Sequence, residues 1–378
     1  MKECLTITSV LHGKRFDDHV VPLSVLKCIS TLDGVIKTTL KDAFFIEYPE
    51  KKRLSKGFYN GFSLNLAGIS EGSAALDMQL DIPDEGMLPK TSPSYKIACR
   101  AQDNLCNFID AANSDVENKD ISDELAGQFS KLGESLGENE WIEFRFENGK
   151  RIRFDSKSRA YFFKLSTEEL LSERKQLRGV VSQCDGAKNL FTLELPSGVF
   201  VQNIKYSDDD FDVLNSSFST FKSFSQKRVL VDCLVKLDKK SEIKNVDEVE
   251  QITLLDALDI PSRLEEFAYL KPGWLDGDGE PFDIEVLRKL AMIFSDHYPF
   301  EKYELPYTFP SDGNRIVWEW EHGDHSISLY VALETFDSEW FDYNINTDEM
   351  NEKQFNLLES ESWTFILNEL AKVYTNEQ

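Results

Sequence analysis

The stretch "LKPGWLDGDGEPFD" (270–283) has acids and glycines at the spacing of a calcium-binding loop. An EF-hand loop takes ligands from positions 1, 3, 5, 7, 9 and 12, with glycine at position 6 and a bidentate glutamate at position 12. Counted from Asp276, however, position 6 is Pro281 and position 12 is Leu287. The pattern therefore favours a turn, in which the glycines allow open backbone angles and Trp274 folds back onto the core.

The densest set of potential metal ligands is "EHGDHS", which contains Glu321, His322, Asp324 and His325. Zinc sites do use neighbouring residues of a hairpin, but a catalytic site needs a third ligand and an oriented water. The other histidines have no ligand spacing to this stretch. A polar hairpin turn explains these residues, so we predict no metal and no other cofactor. A metal-dependent hydrolase centred on the EHGDH turn is kept as an alternative.

No stretch has the spacing of a nucleophile motif. "GISEGS" reverses the order of Gly-x-Ser-x-Gly, and it lies between two predicted strands instead of at a strand-to-helix turn. The chain contains no Walker loop and no GxGxxG, and its six cysteines form no CxxC pair. Scattered cysteines of this kind are typical of reduced thiols in a cytoplasm. We therefore predict no catalytic residues and favour a non-enzymatic protein.

The elements that would position these residues follow from hydrophobic periodicity. A chain of 378 residues exceeds one ordinary core, and its pattern predicts a multi-domain α+β protein. We expect a mixed α+β N-terminal domain, a small SH3-like or OB-like β-barrel of five strands in the middle, and an acidic α+β C-terminal module. The predicted boundaries of these domains are 1–175, 177–256 and 260–378.

The C-terminal module is predicted as helix, antiparallel sheet and helix. "NRIVWEWE" and "SISLYVAL" alternate as two strands with "HGDH" at the turn, and "EWFDYNI" predicts a third strand. A tryptophan-rich core explains most of the indoles here, and the alternative is that one or two within "VWEWEHGD" are exposed. Five of the six tryptophans fall in this module: Trp274, Trp318, Trp320, Trp340 and Trp363.

The formal charge of −25 is concentrated in the same module. From Ala257 to the end there are 8 Lys+Arg and 26 Asp+Glu, a net charge of −18. Such a field repels nucleic acid and anionic membrane and attracts basic proteins, although simple solubility would also explain it. Aromatic residues rimmed by carboxylates are typical of a surface for a basic partner. The predicted contact residues are Trp318, Glu319, Trp320, Glu321 and Asp324.

Direct nucleic-acid binding is not favoured by the middle segment. Residues 177–256 hold 10 basic and 13 acidic residues, the opposite of the balance that a phosphate-binding groove needs. A nucleic-acid-associated factor, acting through the barrel or as a DNA mimic, remains an alternative. No apolar run of about 18 residues predicts a membrane span, and no signal peptide is predicted, so we expect a cytoplasmic protein. The sequence does not indicate the oligomeric state.

One resemblance adds to these expectations. "GWLDGDGEPFDIEVLRKL" followed by "ELPYTFPSDGNRIVWEWEHGDHSISLYV" resembles the C-terminal module of a family of uncharacterised bacterial proteins, with Leu275 inserted into its pattern. Such proteins occur near toxin–antitoxin and phage-defence genes, so the resemblance implies an antitoxin or defence accessory protein whose partner is a toxin or defence effector. The matching residues are Gly273, Trp274, Asp276, Gly277, Pro306, Pro310, Asp312, Gly313, Glu319 and Trp320.

Overall fold

A computed structural model describes residues 3–17, 20–70, 74–88, 90–116, 121–223 and 226–375. Within these ranges the chain is a mixed α+β protein with three antiparallel sheets of five strands each, which confirms the expected α+β class. None of the helices in these ranges is both long and apolar enough to cross a bilayer. The chain divides into two compact units: Met1–Gln176 with Asp232–Gln251, and Leu177–Val231 with Ile252–Gln378.

The first unit contains a sheet with helices packed against it. Its strands are β1 (Cys4–His12), β2 (Ser63–Ser70), β3 (Ala75–Asp81), β4 (Trp141–Phe146) and β5 (Arg151–Phe154), in the spatial order β2-β3-β1-β4-β5. Its helices are α1 (Leu23–Ile29), α2 (Leu32–Glu47), α3 (Pro93–Asn113), α4 (Asp123–Lys131) and α5 (Ser156–Leu165). Both hairpins predicted for this region are present, although residues 71–73 of "GISEGS" lie outside the described residues.

The middle sheet is a curled half-barrel. Its spatial order is β10-β9-β6-β7-β8, so β8 and β10 lie at its two edges. All five strands and the helical insert predicted for this segment are present. They are β6 (Leu171–Asp185), β7 (Leu190–Glu194), β8 (Phe200–Lys205), α6 (Phe211–Phe218), β9 (Val229–Leu237) and β10 (Ile243–Leu254).

The third sheet belongs to the second unit, and its strands follow one another in sequence order. They are β11 (Tyr307–Ser311), β12 (Arg315–His322), β13 (His325–Ala332), β14 (Asp337–Asn344) and β15 (Glu349–Asn356). The same unit contains α7 (Ile260–Phe267), α8 (Ile284–His297) and α9 (Ser360–Thr375). The sheet therefore has two strands more than the predicted three. Both additional strands are edge strands, β11 with a proline and β15 with mostly exposed polar residues, and neither alternates clearly.

The core of the second unit is rich in tryptophan, as the sequence predicts. Trp318, Trp340 and Trp363 are each at most 3% exposed. Phe294 of α8 packs against two of them, with its ring centroid 4.7 Å from that of Trp318 and 6.0 Å from that of Trp363. Aromatic pairs at these distances add to the free energy of burial, so this cluster holds α8 and α9 against the sheet.

Residues 270–283 form the turn that their glycines predict. Gly273 has a φ of 81°, and its amide donates to the carbonyl of Gly279 over 2.7 Å. The indole of Trp274 donates to the carbonyl of Glu280 over 2.9 Å and packs against Phe282, with ring centroids 5.6 Å apart. The stretch therefore folds the half-buried Trp274 back onto the hydrophobic core, as expected.

A methyl group at position 279 tests this turn. A Cβ on Gly279 would lie 2.5 Å from Nε1 of Trp274, so the Gly279→Ala substitution forces the indole away from Glu280. We expect a loss of about 1–3 kcal/mol in the free energy of unfolding, measured by urea denaturation. In the control Gly186→Ala the new Cβ has its nearest neighbour at 3.8 Å, and a change within about 0.5 kcal/mol is expected. Equal losses in both variants would contradict the packing described.

Candidate partner-binding site

The two tryptophans predicted as contact residues lie inside the protein. Trp318 is 0% exposed and Trp320 is 3% exposed. Successive side chains of a strand point to opposite faces, and positions 316, 318 and 320 of β12 face the core. The expectation of an exposed indole in "VWEWEHGD" is therefore wrong for both residues, because the apolar face of the strand is the one that α8 and α9 cover.

The three predicted acidic contacts lie at the surface. Glu319 and Glu321 alternate with the buried indoles, and Glu319 is half-buried whereas Glu321 is exposed. Asp324 is exposed in the two-residue turn that joins β12 to β13, next to Gly323 with its φ of 55°. The carboxylates of the predicted site therefore lie at the surface, while its indoles pack in the core on the opposite face of the sheet.

The strand register places aromatic side chains beside these glutamates. Glu319 lies opposite Tyr307 of β11 on one side and Ser328 of β13 on the other. The face of the third sheet that carries Glu319 is called the outer face here. In the order of the strands, its large or charged side chains are Tyr307, Phe309, Arg315, Glu319, Glu321, Tyr330, Asp337, Glu339, Phe341, Tyr343, Met350 and Glu352.

Four apolar or aromatic side chains of the outer face are well exposed. The exposed fractions are 49% for Tyr307, 43% for Phe309, 39% for Tyr343 and 58% for Met350. The basic residue of this face, Arg315, is already held by Asp312, with 2.9 Å between Nη2 and Oδ1. The outer face thus combines exposed aromatic side chains with negatively charged carboxylates. This combination is expected of a docking surface for a basic protein.

A cavity of about 620 Å³ lies at the corner where β11 begins. Five of the residues that line it carry carboxylates, and five are aromatic. The carboxylates belong to Asp256, Asp259, Glu304, Glu319 and Glu321. The aromatic residues are Phe300, Tyr303, Tyr307, Trp320 and Tyr374.

Two of these carboxylates are engaged in local structure. Asp259 caps α7 by accepting a hydrogen bond from the amide of Ser262 over 2.9 Å, and Nε of Arg178 lies 3.9 Å from it. Asp256 accepts from the amide of Leu258 over 2.8 Å. In the described part of the chain, no Lys or Arg nitrogen lies within ion-pairing distance of the carboxylates of Glu304, Glu319 or Glu321.

A hydrogen-bonded chain holds the wall of the cavity. Nε1 of Trp320 donates to the hydroxyl of Tyr298 over 3.0 Å, and this hydroxyl donates to the backbone carbonyl of Glu304. The ring of Tyr303 meets the ring of Tyr374 edge-on, with centroids 5.2 Å apart. The loop before β11 is therefore tied to both the sheet and α9 by side chains, of which Trp320, Tyr303 and Tyr374 line the cavity.

Burial raises the pKa of Tyr374 above its ordinary value, and the negative charge of Glu304 raises it further. A phenol of ordinary pKa is already neutral at neutral pH, so Tyr374 carries no charge there. The charge that a ligand would meet in the cavity comes from the carboxylates alone.

The histidines of "EHGDHS" make separate contacts. The ring of His322 stacks on Tyr374 with centroids 3.8 Å apart. Nδ1 of His325 lies 2.7 Å from a carboxylate oxygen of Asp342, and its Nε2 lies 3.0 Å from the amide nitrogen of Asn344. Among the residues that the structure describes, no group of three or more His, Cys, Asp or Glu side chains is placed to hold a metal ion.

The buried thiols are not activated. Desolvation raises the pKa of Cys106 to about 11 and that of Cys233 to about 12. Because the thiolate is the nucleophile, a thiol that stays protonated at neutral pH is a weak one.

The sequence predicts only part of the cavity lining. The aromatic stretch "HYPFEKYELPYTF" (297–309) was a usable signal, since it supplies Phe300, Tyr303 and Tyr307. Asp256 and Tyr374 are far from this stretch in sequence, and only the fold brings them to the same cavity. The predicted set contributed Glu319, Trp320 and Glu321 to its lining.

The fold and the site together define a mixed α+β protein with an acidic, aromatic surface. Comparison of the chain with protein-family models, with curated proteins and with solved structures gives no match.

Removing the charge of Glu304 should lower the pKa of Tyr374. In Glu304→Gln the desolvation remains but the nearby negative charge is lost, so the phenol ionises at lower pH than in the wild type. The measurement is an alkaline titration of tyrosinate absorbance, with the Tyr374→Phe protein subtracted to isolate this residue. Glu352→Gln, on the outer face and away from the cavity, is the control and should leave the pKa unchanged.

The same pKa shift links stability to alkaline pH. The pKa of Tyr374 is higher in the folded than in the unfolded chain, so its contribution to stability is complete below about pH 10 and is lost as pH rises through the folded-state pKa. Glu304→Gln should reduce this alkaline loss. An unchanged titration in Glu304→Gln would show that its carboxylate does not face Tyr374.

Proposed function

We propose that this chain is a non-enzymatic protein-binding component, and that the outer face of its C-terminal sheet docks a basic partner protein. The observation that carries the proposal is the exposure of Tyr307, Phe309, Tyr343 and Met350 on one open sheet face that also bears glutamates. Exposed apolar patches of this kind mark interaction sites. Aromatic side chains commonly contribute most of the binding energy at protein interfaces.

Electrostatics selects the kind of partner. The C-terminal 122 residues carry a net charge of −18 from 8 basic and 26 acidic residues. A field of this sign repels nucleic acid, and it opposes the approach of a second copy of the same face. A positively charged protein surface is attracted to it, which raises the association rate and disfavours other partners.

The biological setting is proposed from the sequence resemblance. In a bacterial cytoplasm, the basic partner would be a toxin or a defence effector, and this chain would restrain or assemble it as an antitoxin or phage-defence accessory protein. The SH3-like or OB-like identity expected for the middle sheet belongs to the same proposal, with the half-barrel acting as a packing or protein-contact module.

The proposal is tested by co-purification from cells of the source organism, with tagged full-length chain and quantitative mass spectrometry. We expect one basic protein to be enriched with the wild type. The double variant Phe309→Ser/Tyr343→Ser removes two exposed aromatic side chains, so retention of this protein should fall by roughly tenfold or more. The control Met292→Ser removes an apolar side chain of α8 that is 41% exposed, and it should retain the partner.

Direct binding must then be shown with the isolated pair. The purified partner and each variant are titrated at low and at physiological salt, because an electrostatically guided complex weakens as salt rises. Equal affinity of the double variant and the wild type would rule out docking on the outer face. Recovery of nucleic acid in place of a protein would favour the alternative, a nucleic-acid-associated factor acting through the half-barrel.

A further inference from the structure

We infer that the cavity beside the outer face binds an organic cation, an alkylammonium or guanidinium group, and that a Lys or Arg side chain of the basic partner supplies it. The identity of the source rests on the proposed function. The chemistry of the ligand does not, because it follows from the lining of the cavity.

The size of the cavity suits such a group. Its volume of about 620 Å³ lies within the roughly 300–1,000 Å³ typical of sites for small ligands. A long cationic side chain fits this space with room for part of its backbone. The cavity is therefore large enough for an extended side chain and does not require a compact ion.

The carboxylates determine the charge of the ligand. Glu304, Glu319 and Glu321 line the cavity, and in the described part of the chain none of them is neutralised by an ion pair with Lys or Arg. Each attracts a cation placed among them, and their attractions add. An anion would meet repulsion from every acidic wall, so the ligand must be positively charged.

The aromatic walls determine which cations fit. Tyr303, Tyr307 and Tyr374 line the cavity, and their phenol rings are uncharged at neutral pH. A hydrated inorganic ion gains little from such walls. An ammonium or guanidinium carried on an apolar stem gains both cation–π attraction from the rings and burial of its stem.

The site is held in place by contacts within the second unit. The hydrogen bonds from Trp320 to Tyr298 and from Tyr298 to the Glu304 carbonyl join the sheet to the loop before β11. The hydroxyl of Tyr303 donates to the carbonyl of Leu367 in α9 over 3.4 Å. A ligand therefore meets walls that are already ordered, and less conformational entropy is lost on binding.

The position of the cavity links it to the docking surface. Tyr307, Glu319 and Glu321 belong both to the outer face and to the lining of the cavity. The outer face and the cavity are therefore continuous, and a protein that covers the outer face can place one side chain in the cavity. Anchors of this kind, a long side chain in a preformed recess, are common centres of binding energy.

The test is a calorimetric titration of the full chain with N-acetyl-arginine amide, N-acetyl-lysine amide and the neutral isostere N-acetyl-citrulline amide. We expect the arginine and lysine probes to bind, and the citrulline probe to bind roughly tenfold more weakly or not at all. Glu304→Gln and Glu319→Gln should each weaken binding of the cations by roughly threefold or more. Glu352→Gln removes a carboxylate from the outer face alone and should leave these affinities unchanged.

Three outcomes would overturn the inference. Equal binding of citrulline and arginine would show that charge is not recognised. Unchanged affinity in both Glu304→Gln and Glu319→Gln would place the cation elsewhere on this acidic surface. Spermidine, titrated in parallel, would replace the partner as the source if it binds far more tightly than the capped amino acids and if Glu304→Gln leaves partner retention intact.

The two proposals fail in distinguishable ways. Because the titration uses small probes and Glu304 lies outside the outer face, cation binding can be measured even if no basic partner is found. Conversely, loss of the partner in Phe309→Ser/Tyr343→Ser with normal cation binding would support docking on the outer face independently of the cavity.

Discussion

Along β12 the side chains of Trp318 and Trp320 point into the core, and those of Glu319 and Glu321 point away from it. This two-residue period is the constraint on which the C-terminal unit depends. Trp318 packs against Phe294 and Trp363, Trp320 packs against Trp340, and the burial of both indoles fixes which face of the strand is covered. A shift of one residue in register would bring the glutamates into the core, at a cost that no other contact offsets.

Because the register of β12 is fixed in this way, it also fixes which side chains of the neighbouring strands lie on the outer face. Tyr307 lies opposite Glu319, and Tyr343 lies in the row of Glu321 and Ser326. Aromatic and acidic side chains therefore share the open face, with Ser326 and Ser328 of β13 between them. At its corner they continue into a recess lined by the same two kinds of residue. The outer face and the cavity both follow from the register of β12, and both are negatively charged.

Strong alternation and clear turn residues allowed much of this fold to be predicted. The hairpin of β12 and β13 and the strands of the middle sheet follow from the period of their apolar residues. The edge strands β11 and β15 could not be predicted in this way, since β11 has only five residues including Pro310, and β15 is polar and exposed along most of its length. The expectation that Trp318 and Trp320 are exposed is wrong because large aromatic residues are typical of both cores and interfaces, and periodicity alone does not say which face of a strand the helices cover. The cavity depends on Asp256 and Tyr374, which are brought together only by tertiary packing.

The borders of the third sheet limit how anything can attach to it. β15, "EMNEKQFN", carries Glu349, Glu352 and Lys353 along one margin, and β11 carries Pro310 along the other. Charged side chains and proline hinder the backbone pairing by which a foreign peptide lengthens a sheet, and they discourage amyloid-like stacking of copies. A binding partner must therefore be recognised through its side chains and not through its main chain. With such edges, a protein can expose aromatic side chains on a sheet face without self-associating through strand pairing.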